Sequence, residues 1–217
     1  MVMGVMDILP SLPTLGAFTL ASFVLAITPG PDMTLFLGRT LAQGRGAGLM
    51  VLAGTCLGCV LHTLAAVTGV SAVLAASPAA FGALKIVGAL YLAWLAFQAV
   101  RGGSTFQLEA AGAPMSMRRA FLTGLGVNIL NPKVLLFFMT FLPQFVSADD
   151  PAAAGKMLFL GLYFVVFSAP LLVAMILAAE RLAVTLKRNA RIARGLDWLF
   201  ATVFAAFAIR ILTARAD

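Results

Sequence analysis

The sequence predicts an all-α integral membrane protein, and three observations lead there. Hydrophobic residues make up 62% of the 217-residue chain and charged residues 11%, too few to give a soluble domain its polar skin. Charges also leave long gaps, with none from Ile8 to Pro31, from Gly46 to Leu84 or from Met157 to Ala179. Finally, six mostly apolar stretches reach the length of about 20 residues that a helix needs to cross hydrocarbon. They fall at about 14–40, 46–74, 80–101, 119–145, 155–179 and 195–213, which makes 1–217 a single membrane domain.

The first stretch is too long for a secretory leader and has Asp7 but no Lys or Arg before it, so it is expected to stay in the protein. Its centre reads Thr28-Pro29-Gly30-Pro31-Asp32. Each proline lacks an N–H and crowds the carbonyl four residues back, so the carbonyls of Leu25 and Ile27 lose their helical partners. The bilayer accepts such a break only where the freed groups face protein or a polar cavity, which makes this segment a candidate site.

The second stretch is rich in small residues. Gly54 and Gly58 form a GxxxG pair that admits a closely packed helix, either from the same chain or from a second copy in a homo-oligomer. Cys56 and Cys59 form a CxxC string without a second pair, and read as small hydrophobes. His62 is the only histidine; it is a candidate for proton relay or carboxylate binding, against the commoner histidine bonded to a backbone carbonyl. In the third stretch Lys85 lies within snorkelling reach of the surface, while Tyr91 and Gln98 are seven apart on one face. These three, with His62, are candidate cavity or coupling residues.

The fourth stretch repeats the anomaly of the first as Asn128-Ile129-Leu130-Asn131-Pro132-Lys133. Pro132 frees the carbonyl of Asn128, and the two amide side chains add donors and acceptors at that level. Lys133 and Asp32 are the ionisable residues nearest the centres of their spans, where a charge usually faces the bundle interior with a partner. Ser168 and Pro170 predict a milder kink in the fifth stretch. Before the sixth, Lys187, Arg191 and Arg194 recur at helical spacing, as topology-setting charges or as a basic face toward anionic lipid.

A shift of 103 positions lays Phe18 on Phe121, Val24 on Val127 and Thr28-Pro29 on Asn131-Pro132. Three spans per half would then give two inverted repeats, about 14–101 and 119–213, with helices 1 and 4 both broken by proline. The connections 39–45, 101–118 and 181–194, together with Arg119 at the edge of the second, hold Arg39, Arg45, Arg101, Arg118, Arg119, Arg181, Lys187, Arg188, Arg191 and Arg194, ten of the fifteen cations. All three fall on one side of a six-span protein, so they are expected in the cytoplasm, with both termini and Asp149-Asp150 outside. The net charge of +7 is scattered over these helix ends and does not point to nucleic acid.

The residues resemble the LysE/RhtB family of bacterial amino-acid exporters. The resemblance rests on Thr28-Pro29-Gly30-Pro31-Asp32-Met33, the glycines 44, 46, 48, 54 and 58, Lys85 through Trp94 to Arg101, and Phe121, Gly124, Asn128, Asn131, Pro132 and Lys133 running on to Pro143-Gln144-Phe145. It implies a six-helix exporter of amino acids or close derivatives in the cell (inner) membrane, driven by a proton gradient or the membrane potential and needing no cofactor. Thr28, Pro29, Gly30, Pro31, Asp32, Asn128, Asn131, Pro132 and Lys133 are then the expected substrate-binding residues, with Asp32 toward an ammonium and Lys133, Asn131 and half-helix amides toward a carboxylate.

Three alternatives stand beside this reading. Asp32 can serve as scaffold, capping the restarted helix or pairing with Lys133. A divalent-cation exporter would need several oxygen ligands, of which Asp32 is the only carboxylate near a span centre. A membrane scaffold without transport would tolerate replacement of the central polar residues. An enzyme is not expected, since the chain has no HExxH, no GxSxG and one histidine.

Overall fold

The computed structural model describes residues 8–76, 113–147, 149–179 and 190–213, with scattered positions between 83 and 101 and Arg181. The described residues form helices and connecting turns, without strands. Helix α1 spans Leu12–Ile27 and starts on Ser11, whose hydroxyl accepts the Thr14 N–H at 3.3 Å. After Thr28-Pro29-Gly30 the chain restarts as α2, Pro31–Gln43, bent by 50° from α1. Gly44 closes α2 at φ 87°, in the left-handed region that favours glycine, and lets α3, Arg45–Ala76, follow at once.

Helix α4, Met117–Leu130, is capped by Ser116 through the Arg119 N–H at 3.3 Å. Asn131 alone separates it from α5, Pro132–Leu136, which runs into a π-helical turn at Phe137–Phe141 and a 3₁₀ turn at Leu142–Phe145. This second pair bends by 55°. Helices α6, Ala153–Leu177, and α7, Ala190–Thr213, complete the described chain. Helix α6 continues through Pro170, and Ser168 Oγ donates to Phe164 O at 2.7 Å.

Of the six expected spans, α3 and α6 each carry a 25-residue segment long and apolar enough to cross a membrane, and the two bent pairs bring the number to as many as four. Both proline breaks stand where the sequence places them. The 103-position shift also matches the two helix ends, Ile27 and Leu130, but not the restarts, because three residues fill the first gap and one the second. The sixth stretch lies within α7, whereas most of the third lies outside the described residues.

The first basic connection bonds to the segment before α4 and to the end of α6. Arg39 Nη1 donates to Ala113 O at 3.1 Å, Gln43 Nε2 to Met115 O at 3.0 Å, and Arg45 Nη2 to Leu177 O at 3.2 Å. Near the start of α6, Ile8 packs against Gly155 and Asp150 pairs with Lys156. The Lys156 hydrogen bond, helped by the Ala152 N–H, holds the Asp150 carboxyl below the ordinary carboxylate range.

Helices α3 and α4 meet backbone against backbone, and glycine makes the contact possible. A Cβ at Gly54 would stand 2.0 Å from Phe121 O, and one at Gly124 would stand 2.2 Å from Val51 O. The GxxxG partner is therefore a helix of the same chain. On the other flank, Phe137, Phe138, Phe141, Phe164 and Phe204 are buried together, with Phe137 and Phe141 ring centres 5.1 Å apart.

We predict that Gly124→Ala forces these backbones apart and lowers the apparent Tm in detergent by several degrees. Gly126, where a Cβ meets nothing within 4 Å, is the control: Gly126→Ala should leave Tm unchanged or raise it slightly. Equal losses in the two variants would refute the close-contact account.

Candidate functional site

The two breaks answer each other across the molecule. Lys133, at the start of α5, sends its Nζ into the first break, donating to Thr28 O at 2.9 Å and to Leu25 O at 3.5 Å. The Leu25 carbonyl is one that Pro29 deprives of its helical partner, so a cation from the second break occupies a place left by the first. Asp32, at the start of α2, reaches the other way. Its Oδ2 accepts Asn128 Nδ2 at 3.0 Å and Asn131 Nδ2 at 2.9 Å.

Each asparagine is used at both ends of its amide. Asn131 Oδ1 accepts the Lys133 N–H at 3.1 Å and so caps α5. Asn128 Oδ1 lies 3.8 Å from Cys59 Sγ, its donor, and takes the space that Gly58 leaves, since a Cβ there would come within 2.3 Å of it. The second glycine of GxxxG therefore makes room for a site side chain. The carbonyl of Asn128, freed by Pro132, accepts the Asn131 N–H at 3.0 Å and His62 Nε2 at 3.2 Å. Because a carbonyl only accepts, His62 carries a proton on Nε2; its ring stacks on Phe138 at 5.9 Å.

Asp32 does not cap its own helix. The N-cap of α2 is Gly30, and the Asp32 oxygen that has partners accepts amides from α4 and the Asn131 junction. Gly30 has an extended φ of −177° that any residue can adopt; its use is space, since a Cβ would stand 3.0 Å from Lys133 Nζ.

Thr28, Asp32, Asn128 and Lys133 line one cavity of about 50 Å³. Pro29, Gly30, Pro31, Asn131 and Pro132 shape the breaks beside it, and His62 braces Asn128 from behind. Lys85, Tyr91 and Gln98 lie outside the described residues, as does Lys187; Arg191 and Arg194 are exposed at the start of α7. Met33, Phe36, Phe164 and Leu172 supply an apolar wall, and Thr55 and Cys56 face the cavity from α3. Sequence reading missed this wall because its members look like ordinary span residues; only their register with the breaks sets them apart. Among the described residues, no three His, Cys, Asp or Glu side chains group as a metal ion would require.

A protein-family model, the LysE type translocator, matches residues 23–215 and so covers both breaks and the cavity between them. The chain belongs to the LysE type translocator family. Similar proteins include an uncharacterized membrane protein of Pseudomonas aeruginosa, 30% identical over 94% of this chain and 99% of its own length. A homoserine/homoserine lactone efflux protein of Salmonella typhimurium is 27% identical over 92% of this chain and 96% of its own. A leucine efflux protein of Klebsiella pneumoniae is 26% identical over 91% and 94%. No solved structure matches the chain. LysE-family translocators are transporters, and this member is a membrane protein with apolar helices.

The Asp32–Asn131 bond joins the two breaks directly, and we predict that it couples them energetically. Asp32→Ala and Asn131→Ala, alone and combined, should show a coupling of about 1–3 kcal/mol in unfolding of the detergent-solubilised protein. Strictly additive losses would mean that the bond contributes nothing.

Proposed function

We propose that this protein exports amino acids or close derivatives from the cytoplasm by alternating access. The observation that carries the reading is a carboxylate and an ammonium, Asp32 and Lys133, facing one cavity from two proline-broken helix pairs. A zwitterionic amino acid offers the complementary charges a few ångströms apart. Its ammonium takes Asp32 and its carboxylate takes Lys133, so bound substrate adds no net charge to an apolar interior. No covalent bond is made or broken.

The efflux names of the relatives support amino acids as the substrate class, and the family supports transport as the activity. Matching bends of 50° and 55° support two three-helix repeats, about 14–101 and 119–213, which rock against each other about the site. The cavity volume fits a closed conformation, since pockets that hold small molecules ordinarily measure about 300 Å³ or more. A proton gradient or the membrane potential drives the cycle. In the inner membrane the basic connections face the cytoplasm and the termini face outside.

Both charges are then needed for binding. In counterflow from proteoliposomes, Asp32→Asn and Lys133→Met are each expected to weaken half-saturation by the exported amino acid at least tenfold. Near-normal affinity in both variants would rule out direct contact.

A further inference from the structure

Hydroxyl side chains on these helices follow a habit. Thr19, Thr40, Thr63, Thr140 and Ser168 each donate to the carbonyl four residues earlier, at 2.7–2.8 Å. In an apolar surrounding this is the nearest acceptor a threonine can find. Thr55 departs from the habit: it is 5% exposed, and its buried Oγ1 has no partner in the protein. The carbonyl it would use, Val51 O, is pressed against Gly124 of α4.

A buried oxygen without a donor costs about 1–3 kcal/mol, and more when it carries charge. Thr55 lines the same cavity as Asp32, whose Oδ1 is also buried and unpartnered while Oδ2 is held by Asn128 and Asn131. Ser22 Oγ shares the lack of a partner but does not line the cavity. Two oxygens without partners, one charged and one neutral, thus meet a single small space that Thr28, Asn128, Lys133 and Ser168 also line, beside the apolar Met33, Phe36, Cys56 and Phe164.

We infer that Asp32 Oδ1 and Thr55 Oγ1 form a subsite for a primary ammonium group, with Thr55 as the residue that selects an amine at the α-carbon of the substrate. An ammonium has three N–H donors, enough to serve a carboxylate and a hydroxyl together. A hard divalent ion would seek about six or more oxygens including several carboxylates, and Asp32 is the one carboxylate that lines this cavity. Asp32 supplies attraction to any cation, whereas the threonine oxygen adds a directed contact that a hydroxyl in place of the ammonium satisfies less well. This subsite rests on the amino-acid reading above.

The test begins with purified wild-type protein, screened by thermal shift and by counterflow against the twenty standard amino acids, homoserine and other close amino-acid derivatives. The best responder is compared with its 2-hydroxy acid, in which a hydroxyl replaces the ammonium. Wild type is expected to prefer the amino acid at least tenfold. Thr55→Val, which keeps the shape and removes the oxygen, should weaken amino-acid binding about tenfold and narrow that preference, while Thr55→Ser restores both. A wild type that answers to no amino acid overturns the exporter reading and this subsite with it. Equal affinity of wild type for the amino acid and its hydroxy acid overturns the subsite alone and leaves amino-acid transport standing. So does an unchanged preference in Thr55→Val. If Thr55→Val does not fold, the wild-type comparison and Thr55→Ser still decide, and loss of wild-type binding when choline replaces sodium assigns the oxygens to a metal cation and overturns the ammonium subsite.

Discussion

A carbonyl stripped of its partner in the middle of an apolar bundle costs several kcal/mol, and the rest of this structure is arranged around meeting that cost. The prolines at 29, 31 and 132 create the deficit locally. Its relief is not local: Lys133 of one break reaches Leu25 and Thr28 of the other, Asp32 accepts the amides of Asn128 and Asn131, and His62 comes in from α3 to the carbonyl of Asn128. Neither break is well satisfied without the opposite one. The polar network therefore fixes the relative placement of the two bent pairs more tightly than the surrounding apolar packing, which is non-directional.

Two of these groups are ionisable, and burying a charge unpaired would cost more than the break itself. The protein meets this with neutral dipoles: amide donors hold Asp32 Oδ2, and backbone carbonyls hold Lys133 Nζ. Dipoles stabilise each charge without cancelling it, which is what the proposed zwitterion site requires.

Much of this was legible in the sequence, because proline chemistry acts over four residues. The positions of both breaks, the freed carbonyls of Leu25 and Asn128, and the need for small residues at Gly54 and Gly58 all follow from local rules. The partners did not, since a hydrogen bond between residues 108 positions apart, such as Lys133 to Leu25, depends on how helices pack. Asp32 shows the limit clearly: its place just after Pro31 suggests a cap, yet Gly30 takes the cap position and Asp32 turns toward α4. Thr55 carried no signal at all, because a threonine in an apolar helix almost always has its own carbonyl to bond.

The glycine contact between α3 and α4 also bears on motion. Gly54 against Phe121 O and Gly124 against Val51 O are backbone touching backbone, with no side chain between them to change rotamer. Sliding one helix along the other by part of a turn would drive main-chain atoms into each other, whereas the wall contributed by α6 meets the cavity through Phe164, Val165 and Leu172, whose side chains can turn aside. Mechanically, the α3–α4 contact can serve the proposed rocking as a pivot but not as a sliding surface, and the compliant face of the cavity is the one lined by α6.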